Sequence, residues 1–370
     1  MNEKSDYVGM TRRGFVERTA KAFAATGILG RLDSGSEVNS HTESAVTPAL
    51  ALPAGKIALE EHFVIPETLG ASYGAAGSPE FQFQLMDIAE RRIAEMDRGG
   101  VETCILSLVG QGIQSIPSTP KAIEIARRAN DHLAESIAKY PKRFKGFAAL
   151  AMQDPQTAAK ELNRSIRELG FCGALVNGFS QIGDDVFFYD SPQYHDFWAT
   201  VQDLDVPFYL HPRSPLPKRH PAYEGNDWLT GSIWGFTSEV SLHALRLIGS
   251  GLFDQFPRLT MILGHLGEGL PSNMWRIDNR VARTLAARPK AKLPIGHYLR
   301  ENFYITTSGN FRTQTLTEVM SEVGADRILY SVDYPFEDMA IAGEWFDRAA
   351  ISDADRSKIG RANAARLFRI

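Results

Sequence analysis

From Lys56 onward, short apolar runs of strand length alternate with longer segments whose apolar residues recur at helical spacing. The strand-like runs fall at 56–63, 102–109, 144–151, 173–179, 206–212, 259–265, 303–309 and 328–334. Amphipathic helical patterns fill the intervals, among them 85–98, 122–140, 158–169, 239–252 and 313–323. Strands separated by helices of this length pair in parallel through right-handed crossovers. Eight such units close on themselves, so the predicted class is α/β, a (β/α)8 TIM barrel over residues 56–370.

Polar residues interrupt this pattern at strand ends. In the segment ALEEH, Glu60 and His62 lie two apart, and side chains in a strand alternate with period two, so both project from one face. His211 in VPFYLHP, His265 in LTMILGHLG and Asp333 in ILYSVDYP end strands five, six and eight. All five therefore reach the C-terminal rim, where barrel enzymes assemble their sites. A lone histidine is more often a satisfied core residue; five nitrogen and oxygen donors on one rim are a donor set for a divalent cation. The absence of a thiolate among them suits Zn²⁺ or Mn²⁺. His132, His195 and His243 sit within helical patterns, where packing explains them, and His41 lies in the N-terminal tail.

Composition narrows the class further. With 44% hydrophobic residues, 23% charged residues and a net charge of -4, the 370-residue chain can bury a large core and has no broad attraction for nucleic acid or anionic lipid. Beyond the N-terminus no run of about 18 apolar residues is present, which excludes stable membrane insertion. The two cysteines, Cys104 and Cys172, read as buried free thiols. Residues 1–55 form a separate extension: Thr11-Arg12-Arg13-Gly14-Phe15 resembles a twin-arginine export signal, with a modestly apolar stretch from Ala22 to Leu29 and a small-residue cleavage site at Ala49-Leu50-Ala51. A working signal implies a periplasmic or exported protein; otherwise the extension is a tail on a cytoplasmic one.

The segments KIALEEHF, KAIEIARRAND, GALVNGFSQ, DVPFYLHPR, HALRLIGSGLFD, ILGHLGEGLP, MWRID, ITTSGNFRTQTL and GADRILYSVDYPFE together resemble the amidohydrolase superfamily in its decarboxylase branch. The likeness is strongest to the γ-resorcylate (2,6-dihydroxybenzoate) and 2,3-dihydroxybenzoate decarboxylases and runs from about Lys56 to the C-terminus. The resemblance implies a barrel of the metal-dependent hydrolase type, with Glu60, His62, His211 and Asp333 as ligands to one divalent ion and His265 beside the ion or on substrate. It also implies nonoxidative, reversible loss of CO2 from an ortho-hydroxybenzoate, a small aromatic carboxylate as partner, and a homodimer or homotetramer.

Direct loss of CO2 from an aromatic ring would leave a carbanion orthogonal to the π system, so the ring carbon must be protonated first. We assign the proton to Asp333, in line with the resemblance, with His265 beside it; the competing assignment makes Asp333 a ligand only and His265 the acid. Glu268, three residues after His265, either fixes that imidazole's tautomer or caps the next helix. Arg276 in MWRID either holds a carboxylate or orients Asp333, from its own or a neighbouring subunit, or else forms a surface ion pair. The long segment 213–236, with Tyr223, Trp228, Trp234 and Phe236, follows strand five and should cover a flat substrate with aromatic rings. Asn177, Ser308 and Asn310 are rim groups that bind ring hydroxyls or satisfy loop backbone. The loop LSLVGQGIQSIP, 106–117, departs from the Asn-Ala-Pro-like turn of the γ-resorcylate enzymes, so reaction type is better specified than substrate. Two alternatives remain: a metal-dependent hydrolase of a lactone or amide, and a non-catalytic binding protein on the same scaffold.

Overall fold

The computed structural model describes residues 55–73, 76–183, 185–215, 221–284 and 288–370. The predicted N-terminal extension, Gly55 excepted, lies outside the described residues. Eight parallel strands form one sheet in the order β1 (Lys56–Phe63), β2 (Val101–Leu108), β3 (Phe144–Ala148), β4 (Gly173–Asn177), β7 (Phe208–His211), β8 (Met261–Leu263), β9 (Phe303–Thr306) and β10 (Ile328–Leu329). Helices follow the strands along the chain, and the sheet curls into a (β/α)8 barrel. A short antiparallel hairpin, β5 (Ser180–Ile182) and β6 (Asp185–Phe187), intervenes after β4 and was not expected from the pattern.

Strand interiors match the apolar runs, but their C-terminal ends do not. β8 stops two residues before His265, and β10 stops four before Asp333. There the backbone leaves the extended region to build turns at the rim. The segment 85–98 is likewise two helices, Pro79–Met86 and Glu90–Arg98, broken between Asp87 and Ala89.

Side chains alternate between two cores. Ile57, Leu59, Ile105, Phe147, Leu175, Tyr209, Ile262, Tyr304 and Leu329 fill the barrel interior, joined by Phe368 from the C-terminal helix Asn363–Phe368. The opposite strand faces pack against the helices, as where Trp198 meets Phe208 with ring centroids 4.9 Å apart. A fully buried aromatic pair of this kind contributes several kcal/mol through area removed from water, at roughly 25 cal/mol per Å².

Closure is least regular between β10 and β1, which show no ladder among the described residues. Outside the barrel, the helices flanking this seam, Glu90–Arg98 and Met339–Arg348, come into backbone contact. A Cβ on Gly343 would stand 2.5 Å from the Gly99 carbonyl oxygen, and one on Gly99 would stand 2.6 Å from the Met339 carbonyl oxygen. Lys56 bridges the same seam, donating to the Gly99 carbonyl at 3.2 Å and to Asp347 at 2.9 Å. Gly343→Ala should therefore destabilise the fold by about 1–3 kcal/mol through overpacking, despite the ~1 kcal/mol that alanine normally gains over glycine in a helix. Urea denaturation checks this; an unchanged or raised midpoint would show that the two helices separate freely.

Candidate active site

The site begins with an extra residue in β1. Leu59 pairs with Ile105 and Glu61 with Leu106, which leaves Glu60 as a bulge at φ 68°. Ile57 and Leu59 point into the barrel, so strict alternation would have turned Glu60 and His62 outward. The bulge resets the parity, and both side chains reach the barrel mouth. The shared face expected for the pair is present, but a local irregularity produces it.

Left-handed backbone is concentrated here. Of the seven non-glycine residues with positive φ among those described, five are Glu60, His265, Leu266, Glu268 and Asp333. The other two, Asp205 and Arg369, end helices. Each such residue costs on the order of 1–2 kcal/mol, so this clustering marks a place where surrounding contacts override backbone preference.

Those contacts leave a set of donor atoms facing one another. His62 Nε2 lies 3.2 Å from Asp333 Oδ1, and His211 Nε2 lies 3.3 Å from Glu60 Oε1. His265 Nε2 lies 3.4 Å from Glu60 Oε1 and 3.6 Å from Asp333 Oδ2. Two overlapping triads result, Glu60/His62/His211 and Glu60/His265/Asp333, either of which has the spacing to hold an ion. Ligand bonds of ~2.0–2.2 Å place neighbouring donor atoms roughly 3.0–3.6 Å apart, so each triad has room for one divalent cation, with Glu60 common to both. Glu60 Oε1 is fully buried without a hydrogen-bond partner, whereas its Oε2 accepts from Tyr209, Ser308 and, at 3.2 Å, Thr306.

Outer contacts orient the rings. Ser107 Oγ is 3.1 Å from His62 Nδ1, leaving Nε2 for the cluster. Glu268 Oε1 lies 2.5 Å from His265 Nδ1, while its Oε2 accepts from Thr237 at 2.8 Å. Burial alone would raise the Glu60 carboxyl, but His265, His211 and His62 together hold it well below the ordinary range. Burial lowers His62, which favours the neutral, ligating imidazole. Burial also opposes charge on His265, yet Glu268 and Glu60 outweigh it and hold the imidazolium well above its usual pKa.

A cavity of about 680 Å³ opens over these atoms. His62, His211, His265, Glu268 and Asp333 line it, with Tyr73, Phe236, Phe336, Asn310 and Glu337 among its walls. Four other sequence candidates lie elsewhere. Ser308 contacts Glu60 and accepts from the His265 amide at 3.1 Å, so it braces the cluster from behind. Asn177 is buried, its amide N–H donating to Gln114 and its side chain to the Leu108 carbonyl at 3.4 Å. Trp234 is 56% exposed, since the segment 213–236 turns Phe236 inward and its tryptophans outward. Arg276 is exposed on helix Leu270–Arg283, beside a 76% exposed Trp275.

Sequence reading missed Tyr73, Phe336 and Glu337 on the cavity wall and Tyr209, Thr306 and Glu61 around the cluster. Phe336 and Glu337 follow Asp333 by three and four residues, a proximity that was available as a signal. Tyr209 reads as an ordinary apolar strand residue, and only its inward parity with His211 points to the site. Glu61 accepts from the Val332 amide at 2.9 Å and the Tyr334 amide at 3.1 Å. Burial raises its carboxyl, against those two amides, which favour the charged form in which both oxygens accept.

A barrel with this cluster at its mouth defines a metal-dependent enzyme scaffold. Residues 86–370 match the Amidohydrolase family model, and the chain belongs to that family. A γ-resorcylate decarboxylase of Rhizobium sp. (strain MTP-10005) is 57% identical over 85% of this chain and 98% of its own length. Another, from Rhodococcus jostii, is 54% identical over 85% and 99%. Among solved structures, a dihydroxybenzoic acid decarboxylase from Polaromonas sp. JS666 with bound manganese and the inhibitor 2-nitroresorcinol superposes with a TM-score of 0.83. It is 56% identical and covers 85% of this chain and 97% of that one.

Proposed function

We propose that the protein is a metal-dependent, nonoxidative decarboxylase of ortho-hydroxylated benzoates, with 2,6-dihydroxybenzoate as the leading substrate. One observation carries the reading: the buried, unpartnered Oε1 of Glu60 amid three imidazoles and Asp333, at the base of a cavity with ample room for a small aromatic acid. Relatives at 54–57% identity that cover nearly their whole length give it a substrate class.

Glu60, His62, His211 and Asp333 are the proposed holders of one divalent cation, Mn²⁺ or Zn²⁺. When bound, that ion would anchor the substrate carboxylate and ortho oxygen and stabilise phenolate charge. The chain's own residues do the rest. Tyr73, Phe236 and Phe336 wall the cavity with rings and restrict water around a flat substrate. Asp333 delivers the proton to the ring carbon that bears the carboxylate, and the C–C electrons then restore aromaticity as CO2 leaves. His265, its Nδ1 held by Glu268, turns Nε2 toward Asp333 at 3.6 Å and so stands beside the proton donor.

Incubation with a panel of dihydroxybenzoates should give CO2 and the corresponding phenol, with 2,6-dihydroxybenzoate yielding resorcinol. Chelation should abolish turnover and Mn²⁺ should restore it, while Asp333→Asn should lower kcat by about 10²–10⁴-fold. Ester or lactone cleavage without CO2 release from any benzoate would instead identify a hydrolase.

The same reading extends to assembly and location. No helix among the described residues is long and apolar enough to cross a membrane. Trp228, Ile233, Trp234, Leu242 and Trp275 are large apolar side chains exposed on or near helix Gly235–Gly249, a surface suited to self-association. A homodimer or homotetramer is the expected state, and a monomeric mass in solution scattering would contradict it. Residues 1–55 are the proposed twin-arginine signal plus linker; fused to a folded reporter they should direct it to the periplasm, and Arg12→Lys with Arg13→Lys should retain it inside.

A further inference from the structure

Asp333 carries two duties in the proposed reaction, yet it stands four residues beyond the end of β10, on backbone at φ 83°. No strand ladder holds it. An aspartate in that conformation stays put only if its flanking peptides are fixed by other means.

The structure shows what fixes them. Glu61 is fully buried, and its two carboxylate oxygens divide between the amides on either side of Asp333: Oε1 accepts from Val332 at 2.9 Å and Oε2 from Tyr334 at 3.1 Å. The next residue of β1 completes the grip, since the His62 amide donates to the Tyr334 carbonyl at 2.8 Å. Arg92, also fully buried, donates to the His62 carbonyl at 2.7 Å and stacks over the Tyr334 ring at 4.9 Å. One side chain thus fastens the Asp333 turn to the strand that carries Glu60 and His62.

We propose that Glu61 is a positioning residue for Asp333, clamping the backbone N–H groups of the residues before and after it so that its carboxylate meets His62 Nε2 at 3.2 Å. Glu61 touches neither substrate nor the donor cluster; it acts through the Asp333 backbone. The inference rests on the decarboxylase reading for its kinetic consequence but not for its geometric one. Glutamine at this position offers one acceptor oxygen and turns an NH2 toward the second amide, so the backbone at Val332 or at Tyr334 must move.

The test compares wild type with Glu61→Gln in three measurements: a crystal structure, the Kd for Mn²⁺ alone from the free-ion EPR signal, and kcat with KM at saturating Mn²⁺. The expected result is a displaced Asp333 carboxylate, a Kd weakened about 10–100-fold, and a comparable fall in kcat with KM nearly unchanged. Should Glu61→Gln not fold, Glu61→Asp, which keeps both acceptors on a shorter stem, takes its place with smaller effects in the same directions. A folded variant that keeps Asp333 in place, with wild-type Mn²⁺ affinity, overturns the proposal even if its melting temperature has dropped. Absence of decarboxylation by the wild type would refute the functional reading alone, because the displacement of Asp333 is read without substrate.

Discussion

A buried carboxylate must have both oxygens compensated, and at Glu60 the protein compensates one. Oε2 is surrounded by the hydroxyls of Tyr209, Thr306 and Ser308, while Oε1 faces three imidazoles and no hydrogen-bond donor in good geometry. Burying such a charge uncompensated would cost several kcal/mol, so the neighbourhood must carry positive charge. Glu268 and Glu60 outweigh burial and bias the His265 imidazole toward its charged form, which supplies part of it. A divalent cation would supply the remainder, and the rest of the rim is arranged around that requirement.

That arrangement comes at the expense of regular structure. A bulge turns Glu60 inward, β8 and β10 end early, and five left-handed residues gather within one cluster. At Glu60, His265, Glu268 and Asp333 the irregularity swings a polar side chain from a direction that strand geometry would give it to one that the shared centre demands. The compensation is an outer layer of hydrogen bonds from Ser107, Thr237, Ser308 and Glu61. Hydroxyls, carboxylates and backbone amides there hold ring and turn orientations that the torsions alone would not keep.

The barrel was legible in the sequence because its eight apolar runs and intervening helical periods report burial directly. The donor set was legible for a related reason: Glu60, His62, His211, His265 and Asp333 are polar residues where the pattern demands apolar ones. Residues that support them were harder to see. Tyr209 and Thr306 suit a strand whether or not they bond Glu60, and Glu61 sits between two conspicuous donors with a partner 271 residues away. Trp234 misled because aromatic content says that a segment is amphipathic without saying which rings turn inward. The hairpin β5–β6 has strands of three residues, too short to establish a period.

The fastening of Glu61 to Val332 and Tyr334 joins the first barrel strand to the last, across 271 and 273 residues of chain. Closing a loop of that length carries an entropic cost that the packing of the finished barrel offsets. The donor cluster is therefore unfinished for as long as the protein is. A nascent or partly folded molecule presents Glu60 and His62 without Asp333, a weak and incomplete trap for ions, and only the closed ring acquires a competent centre. A complete set of donors is in this way a property of the closed barrel alone.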